Sequence, residues 1–420
     1  MASTVINQSA NGNVSSGGGN NYGLALYALM TLFFMMGFIT CLNDILIPYL
    51  KAIFDLNYTQ ANLINLCFFG AYFVMSIPSG YIIQKIGYKG GMIVGFIIAA
   101  LGCFLFYPAA EYKVYNLFLG ALFILASGIT LLQVAGNPYV AVLGSPETSS
   151  ARLTLTQAFN SVGTTIAPYF GSVLILANLP KEINESTSID VSAVQTPYIF
   201  IGGTLVVIAM IIGLLKLPKI THDNHAAETT LADKGSALSY RHLALGAIGI
   251  FCYVGAEVAI GSHIVSYLQQ PDILNITAEE AGHYVSYYWG GAMVGRFIGS
   301  IVLRKFQPGK VLAFNAVVAT LLVIASILSS GQVAMWAILL VGLMNSLMFA
   351  TIFTLAVDGL GKYTDQGSGI LCTAIVGGAI VPFVYGIIGD AFSLKAAFIL
   401  PIICYLYIVY YGLSGHKKEA

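Results

Sequence analysis

An all-α membrane protein of twelve transmembrane helices, in two six-helix pseudo-symmetric halves, is the fold class this sequence predicts, and three observations predict it. The 420 residues are 57% hydrophobic and only 9% charged, whereas a soluble domain carries roughly a quarter charged residues. Apolar runs of about 20 residues, long enough to cross the hydrocarbon of a bilayer, recur along the whole chain. One polar, charge-bearing connector divides those runs six and six.

The runs fall at approximately 22–50, 60–84, 90–109, 114–142, 152–177, 196–215, 241–269, 281–303, 310–329, 332–357, 367–388 and 393–413. Fewer spans would leave stretches such as 310–329 without a place. Residues 22–215 are thus expected to form an N-terminal bundle, 216–240 a cytoplasmic linker, 241–413 a C-terminal bundle and 414–420 a cytoplasmic tail. Residues 1–21 are rich in Ser, Asn and Gly and contain no Lys or Arg. They lack the basic n-region of a cleaved signal peptide, and a disordered cytoplasmic tail is expected there. The 45 glycines and 25 tyrosines suit a bilayer, since Gly lets helix backbones approach and Tyr settles at the headgroup level.

Orientation follows from the basic residues outside the helices. With the amino terminus inside, 13 of them lie inside, Lys85, Arg152 and Arg304 included, against four outside: Lys51, Lys113, Lys181 and Lys395. Both termini are therefore expected in the cytoplasm. The halves also echo each other at an offset of 214 to 219 residues. Gly163 precedes Pro168 by five and Gly377 precedes Pro382 by five, while Gly80 with Lys85 matches Gly299 with Arg304. A parallel six-helix repeat is the architecture in which two halves rock about a central site.

Several function classes are excluded by composition. Net charge is zero, so no nucleic-acid partner is indicated. The six cysteines lie inside apolar runs without CxxC spacing, which fits buried thiols and no structural metal. There is no G-x-x-x-x-G-K-[ST] and no soluble region large enough for an ATPase domain. A gradient-driven transporter, not an enzyme, with no catalytic residue and no cofactor, is the expectation.

A carboxylate at the centre of a membrane helix costs about 2.5–3.5 kcal/mol on insertion scales, so each one needs an explanation. Asp44, in the first span, is a candidate cation or proton site facing a central cavity, or a carboxylate neutralised by a neighbour such as Arg296. Glu257, in the seventh span, is either a substrate contact or a structural partner of Arg296, the one basic residue well inside a span. Gln133 and Asn137 stand four apart on one face of the fourth span. Gln157, Asn160 and Ser161 form a polar stripe on the fifth, and Asn345 is the lone amide of the tenth. Such groups either join helices or line a wet cavity. Amides and aromatic rings offer paired donors, acceptors and stacking faces to a neutral, hydroxyl-rich substrate. Tyr288 and its neighbours Tyr284, Tyr287 and Trp289 supply such rings. His263 is a candidate ligand contact or proton carrier, or simply a packed residue.

Long matches in register run from Asn43-Asp44-Ile45-Leu46-Ile47-Pro48 through Gln157-Ala158-Phe159-Asn160-Ser161 and Tyr253-Val254-Gly255-Ala256-Glu257. They continue in Tyr288-Trp289-Gly290-Gly291-Ala292-Met293-Val294-Gly295-Arg296 and Gly377-Gly378-Ala379-Ile380-Val381-Pro382. On these segments the chain resembles the fucose, glucose and galactose permease family of sugar–cation symporters, within the major facilitator superfamily. The resemblance implies the superfamily's fold, alternating access, a monosaccharide as cargo, and a bacterial inner membrane as the site of work. It also implies a role in proton coupling for an acid that stands, in the fucose permeases, where this chain has Gln133. Because Gln133 cannot titrate, the chain resembles the glucose and galactose branch, in which sodium coupling is known for some members. One carboxylate with neutral amide oxygens suits a hard monovalent cation. The expectation is Na⁺/hexose symport of the glucose, galactose or mannose class, with Asp44 as the sodium ligand and Asn43 and Gln133 beside it. Proton-coupled transport of a hexose, L-fucose or an N-acetylhexosamine is the alternative. Substrate contacts are expected from Gln133, Asn137, Gln157, Asn160, Glu257, His263, Tyr288 and Asn345, and a structural or gating role from Arg296, Lys85 and Arg304. The loop at Gly80–Lys85 departs from the superfamily pattern, which carries an acid where Gln84 stands, so a salt bridge there is not assured. The protein is expected to work as a monomer in the lipid bilayer.

Overall fold

The computed structural model describes the backbone of residues 19–54, 58–174, 192–218 and 235–418; some helical stretches, among them 43–49, 51–53, 58–63 and 171–174, are described in backbone only. Every regular element among the described residues is a helix. The first half holds α1 (Gly19–Phe54), α2 (Tyr58–Glu111), α3 (Tyr115–Val142), α4 (Ser149–Leu174) and α5 (Ser192–Leu214). The second holds α6 (Arg241–Leu268), α7 (Ala278–Val302), α8 (Pro308–Leu328), α9 (Gly331–Asn345), α10 (Met348–Val357), α11 (Thr364–Thr373), α12 (Gly377–Ala391), α13 (Leu394–Ala397) and α14 (Ile399–Tyr410).

α2 contains the second and third expected spans. Gly87 leaves helical geometry at φ 75° and ψ 168°, a region that Gly enters without the steric cost a Cβ imposes. Three spans read as continuous are interrupted. The tenth breaks at Ser346–Leu347 between α9 and α10, the eleventh passes through a 3₁₀ turn at Ala374–Val376, and the twelfth begins as α13 and ends in a π-helical turn at Tyr411–Gly415. Length and composition alone identify nine segments able to cross a membrane among the described residues. Cys67–Glu111 is one of these although Gly87 divides it, and α4 and α7, which carry the candidate site's polar groups, are not among the nine.

The repeat seen in the sequence has a structural counterpart. A Cβ on Gly163 in α4 would stand 2.2 Å from the carbonyl oxygen of Phe34 in α1, and one on Gly377 would stand 2.2 Å from that of Phe251 in α6. The two glycines occupy matching places in the two halves, and each lets a pair of helix backbones touch. Elsewhere α2 packs on α3 and α5, and α8 on α9 and α14. The outer surface is apolar: Leu214 is 84% exposed, Leu328 81% and Phe200 76%. Water would penalise such a surface, and lipid solvates it.

Within the expected 216–240 linker, only residues 216–218 and 235–240 are described, the latter including a 3₁₀ turn at Ala237–Ser239. Of the expected 1–21 tail, residues 1–18 lie outside the described set, and α1 already begins at Gly19.

Candidate functional site

Arg296 organises the centre of the molecule. From α7 it donates through Nε to the Ser346 carbonyl at 3.2 Å and through Nη1 to the Gln157 carbonyl at 3.4 Å and to the Ser161 hydroxyl. Its Nη2 stands 3.9 Å from Glu257 Oε1, within ion-pair reach but too long for a hydrogen bond. One guanidinium thus joins α4 of the first half to α6, α7 and the α9–α10 break of the second. That break supplies the acceptor, because an interrupted helix frees a carbonyl that would otherwise bond four residues on. The expected Glu257–Arg296 pair is present. The side chains of Asn43 and Asp44 lie outside the described residues, so the alternative pairing of Asp44 with Arg296 does too.

Around this pair are buried polar atoms with no hydrogen-bond partner in the protein: Gln157 Nε2, Glu257 Oε1 and the Tyr253 hydroxyl. Tyr253 lies against both Glu257 and Arg296. In the sequence it stands out only by its place one helical turn before Glu257. On α3, Gln133 Oε1 and both amide atoms of the fully buried Asn137 are likewise without a hydrogen-bond partner. Asn137 is set against α11, where the Cys372 thiol, a weak partner at best, lies beside it. A buried polar atom left unpaired costs about 1–3 kcal/mol, so each of these marks a place that a polar ligand or a water can satisfy.

Other expected contacts are engaged elsewhere in this conformation. The Tyr288 hydroxyl donates to the Glu257 carbonyl at 3.0 Å, Asn345 Nδ2 donates to that hydroxyl at 2.9 Å, and the Tyr405 hydroxyl donates to Asn345 Oδ1 at 2.9 Å. All three side chains are fully buried, so this chain fastens α6, α7, α9 and α14 instead of presenting groups to a cavity. Asn160 Nδ2 donates to the Phe33 carbonyl at 2.9 Å, where α4 meets α1. His263 bonds the Ala259 carbonyl at 2.8 Å and packs on the Tyr385 ring at 4.5 Å, nearer the far end of α6 than Glu257. In this conformation Tyr288, Asn345 and Asn160 bond across helices, and His263 bonds back within α6.

At the end of the molecule where α4 and α11 begin, the halves are fastened directly. The Ser150 and Thr354 hydroxyls are 2.5 Å apart, and Ser368 donates to the Val134 carbonyl at 2.9 Å. Asp365, 1% exposed at the start of α11, lies beside the buried Tyr88 ring at the start of the third span. Lys85 and Arg304 are exposed and show no ion pair among the described residues. Arg152, counted from sequence as a loop cation, is buried. It donates to the carbonyls of Val140, Ala141 and Ser145 and to the Thr148 hydroxyl. A cation at the last carbonyls of α3 meets the negative end of that helix.

The sequence pattern of the Major Facilitator Superfamily matches residues 28–374. The glucose/galactose transporter of Brucella abortus biovar 1 (strain 9-941) is 57% identical over 400 residues, 95% of each chain. The L-fucose-proton symporter of Escherichia coli (strain K12) is 36% identical over 409 residues, 94% of this chain and 93% of that one. Among solved structures, the transporter FucP in its outward conformation matches with a TM-score of 0.85 at 36% identity, covering 93% of this chain and 98% of that one.

Proposed function

The chain belongs to the Major Facilitator Superfamily, and from that premise we propose that it imports a neutral hexose of the glucose/galactose class by cation symport, with the proton as the coupling ion. The observation that supports a neutral sugar is the set of unpaired buried groups on Gln133, Asn137, Gln157 and Tyr253. They are uncharged donors and acceptors, the chemistry that hydroxyl groups need. The relative named a glucose/galactose transporter, at 57% identity, points to the same cargo.

The sodium coupling expected from sequence has no support among the relatives reported above, of which one is named a proton symporter and none a sodium symporter. Asp44 is the carboxylate we assign to the coupling proton, since Glu257 is committed to the pair with Arg296. A sodium reading keeps one observation in its favour: the unpaired Oε1 of Gln133 and Oδ1 of Asn137 are neutral oxygens of the kind that ion accepts.

The bonded end, where α4 and α11 begin, faces the cytoplasm in this reading, by the distribution of basic residues. The conformation is then closed inward and open outward, as in the FucP structure it resembles. Competition of unlabelled glucose, galactose, mannose and L-fucose against labelled galactose in counterflow tests the cargo. Glucose and galactose are expected to compete most strongly, and a dominant L-fucose would overturn the hexose assignment.

A further inference from the structure

A groove of about 730 Å³ opens in the second half, on the outer side of the α9–α10 break. Its walls are apolar: Ile298 and Val302 of α7, Val311 and Phe314 of α8, and Leu343 and Leu347 flanking the α9–α10 break. Its rim is basic, with Lys305 in the α7–α8 connection and Lys310 in the first turn of α8. Both lysines are exposed, and neither has an ion pair among the described residues. Phe314 is 64% exposed and Ile298 53%, so the groove opens sideways onto the surface that lipid covers.

We infer that this groove is a binding site for an anionic phospholipid of the cytoplasmic leaflet. The headgroup phosphate sits between Lys305 and Lys310, at the positive end of α8, and an acyl chain runs along Ile298, Val302, Val311 and Phe314. The two kinds of surface are continuous, and only a molecule with an anionic head and an apolar tail matches both. Basic residues at the cytoplasmic ends of membrane helices attract anionic lipid, while a free phosphate gains nothing from the apolar walls. The inner wall includes Ser346, whose carbonyl holds Arg296, so an occupied groove packs directly against the break that organises the polar centre. The inference goes beyond the transport reading and stands whichever sugar or ion is carried.

Native mass spectrometry of the purified full chain tests it, with phosphatidylglycerol or phosphatidylethanolamine added at equal concentration. The wild type is expected to retain phosphatidylglycerol preferentially. The K305Q/K310Q double variant is expected to retain about tenfold less, from the loss of two cation–headgroup attractions. K85Q/K216Q, which removes equal charge at exposed positions of the first half, is expected to behave as wild type. V311W, which fills the groove and leaves its rim intact, is expected to lose retention as well. Equal retention of the two lipids, unchanged retention in K305Q/K310Q, equal loss in K85Q/K216Q, or full retention in V311W would each overturn the site.

Discussion

Arg296 on α7 and Glu257 on α6 form a buried ion pair at 3.9 Å, and the same guanidinium crosses to the Ser161 hydroxyl on α4. A cation shared between the halves is sensitive from both sides. Removing the arginine leaves a buried carboxylate uncompensated, which costs about 3–5 kcal/mol. R296A is therefore expected to lose folded protein in detergent, and E257Q, which leaves the guanidinium its carbonyl and hydroxyl acceptors, to lower the melting temperature by less. A normal melting temperature for R296A would contradict the pair's structural role.

Asn160 and Gln157 separate two kinds of amide on one helix. The amide of Asn160 is bonded to Phe33, and N160A is expected to cost about 1 kcal/mol of stability with sugar affinity unchanged. Gln157 Nε2 has no protein partner, and Q157A is expected to weaken sugar binding about tenfold with little change in melting temperature. Equilibrium binding and thermal unfolding of the two variants check this; the reverse pattern would exchange their roles.

Tyr405 tests the chain through Asn345 and Tyr288. Y405F removes the donor to Asn345 Oδ1 and leaves a buried acceptor unpaired, at about 1–3 kcal/mol. Lower thermal stability with unchanged sugar affinity is expected. A loss of affinity with full stability would return Asn345 to the substrate.

In the proposed orientation, the Ser150–Thr354 and Ser368–Val134 bonds hold the cytoplasmic ends together. T354V with S368A removes both and is expected to shift the protein toward the inward-open state. A cysteine placed on the cavity side of α11 should then react faster with an impermeant reagent applied from the cytoplasm. Unchanged labelling would mean that apolar packing alone closes this end.

On the opposite end, Lys395 Nζ bonds Asp272 Oδ2 at 2.5 Å and the Ser329 carbonyl at 3.1 Å, clasping three connections. The lysine holds the Asp272 carboxyl below its ordinary range. A depressed carboxylate stabilises the fold above its unfolded pKa of about 3.9 and loses that contribution as pH falls through the lower folded value. Thermal stability lost between D272N and wild type is thus expected to be small, constant above about pH 5 and absent in strong acid, because half-exposed pairs are worth little. A difference that grows toward high pH would contradict this clasp.

The fold was legible because a bilayer demands long apolar runs, and the repeat because Gly163 and Gly377 each sit where two backbones touch. The pairing of Glu257 with Arg296 was legible by scarcity, as few charges are tolerated at that depth. What the sequence could not sort was the amides. Asn160 and Gln157 are equally polar and three residues apart, and only the approach of Phe33 decides which is occupied. Arg152 was misplaced for a similar reason: a basic residue beside a loop looks solvated until its carbonyl partners are seen.

Uptake of labelled galactose into proteoliposomes, with an inward proton gradient and an inward sodium gradient imposed separately, tests the central claim most directly. The account predicts accumulation driven by the proton gradient, abolished in D44N while counterflow persists, and unaffected by sodium. Accumulation that follows sodium alone, or that survives intact in D44N, would contradict it.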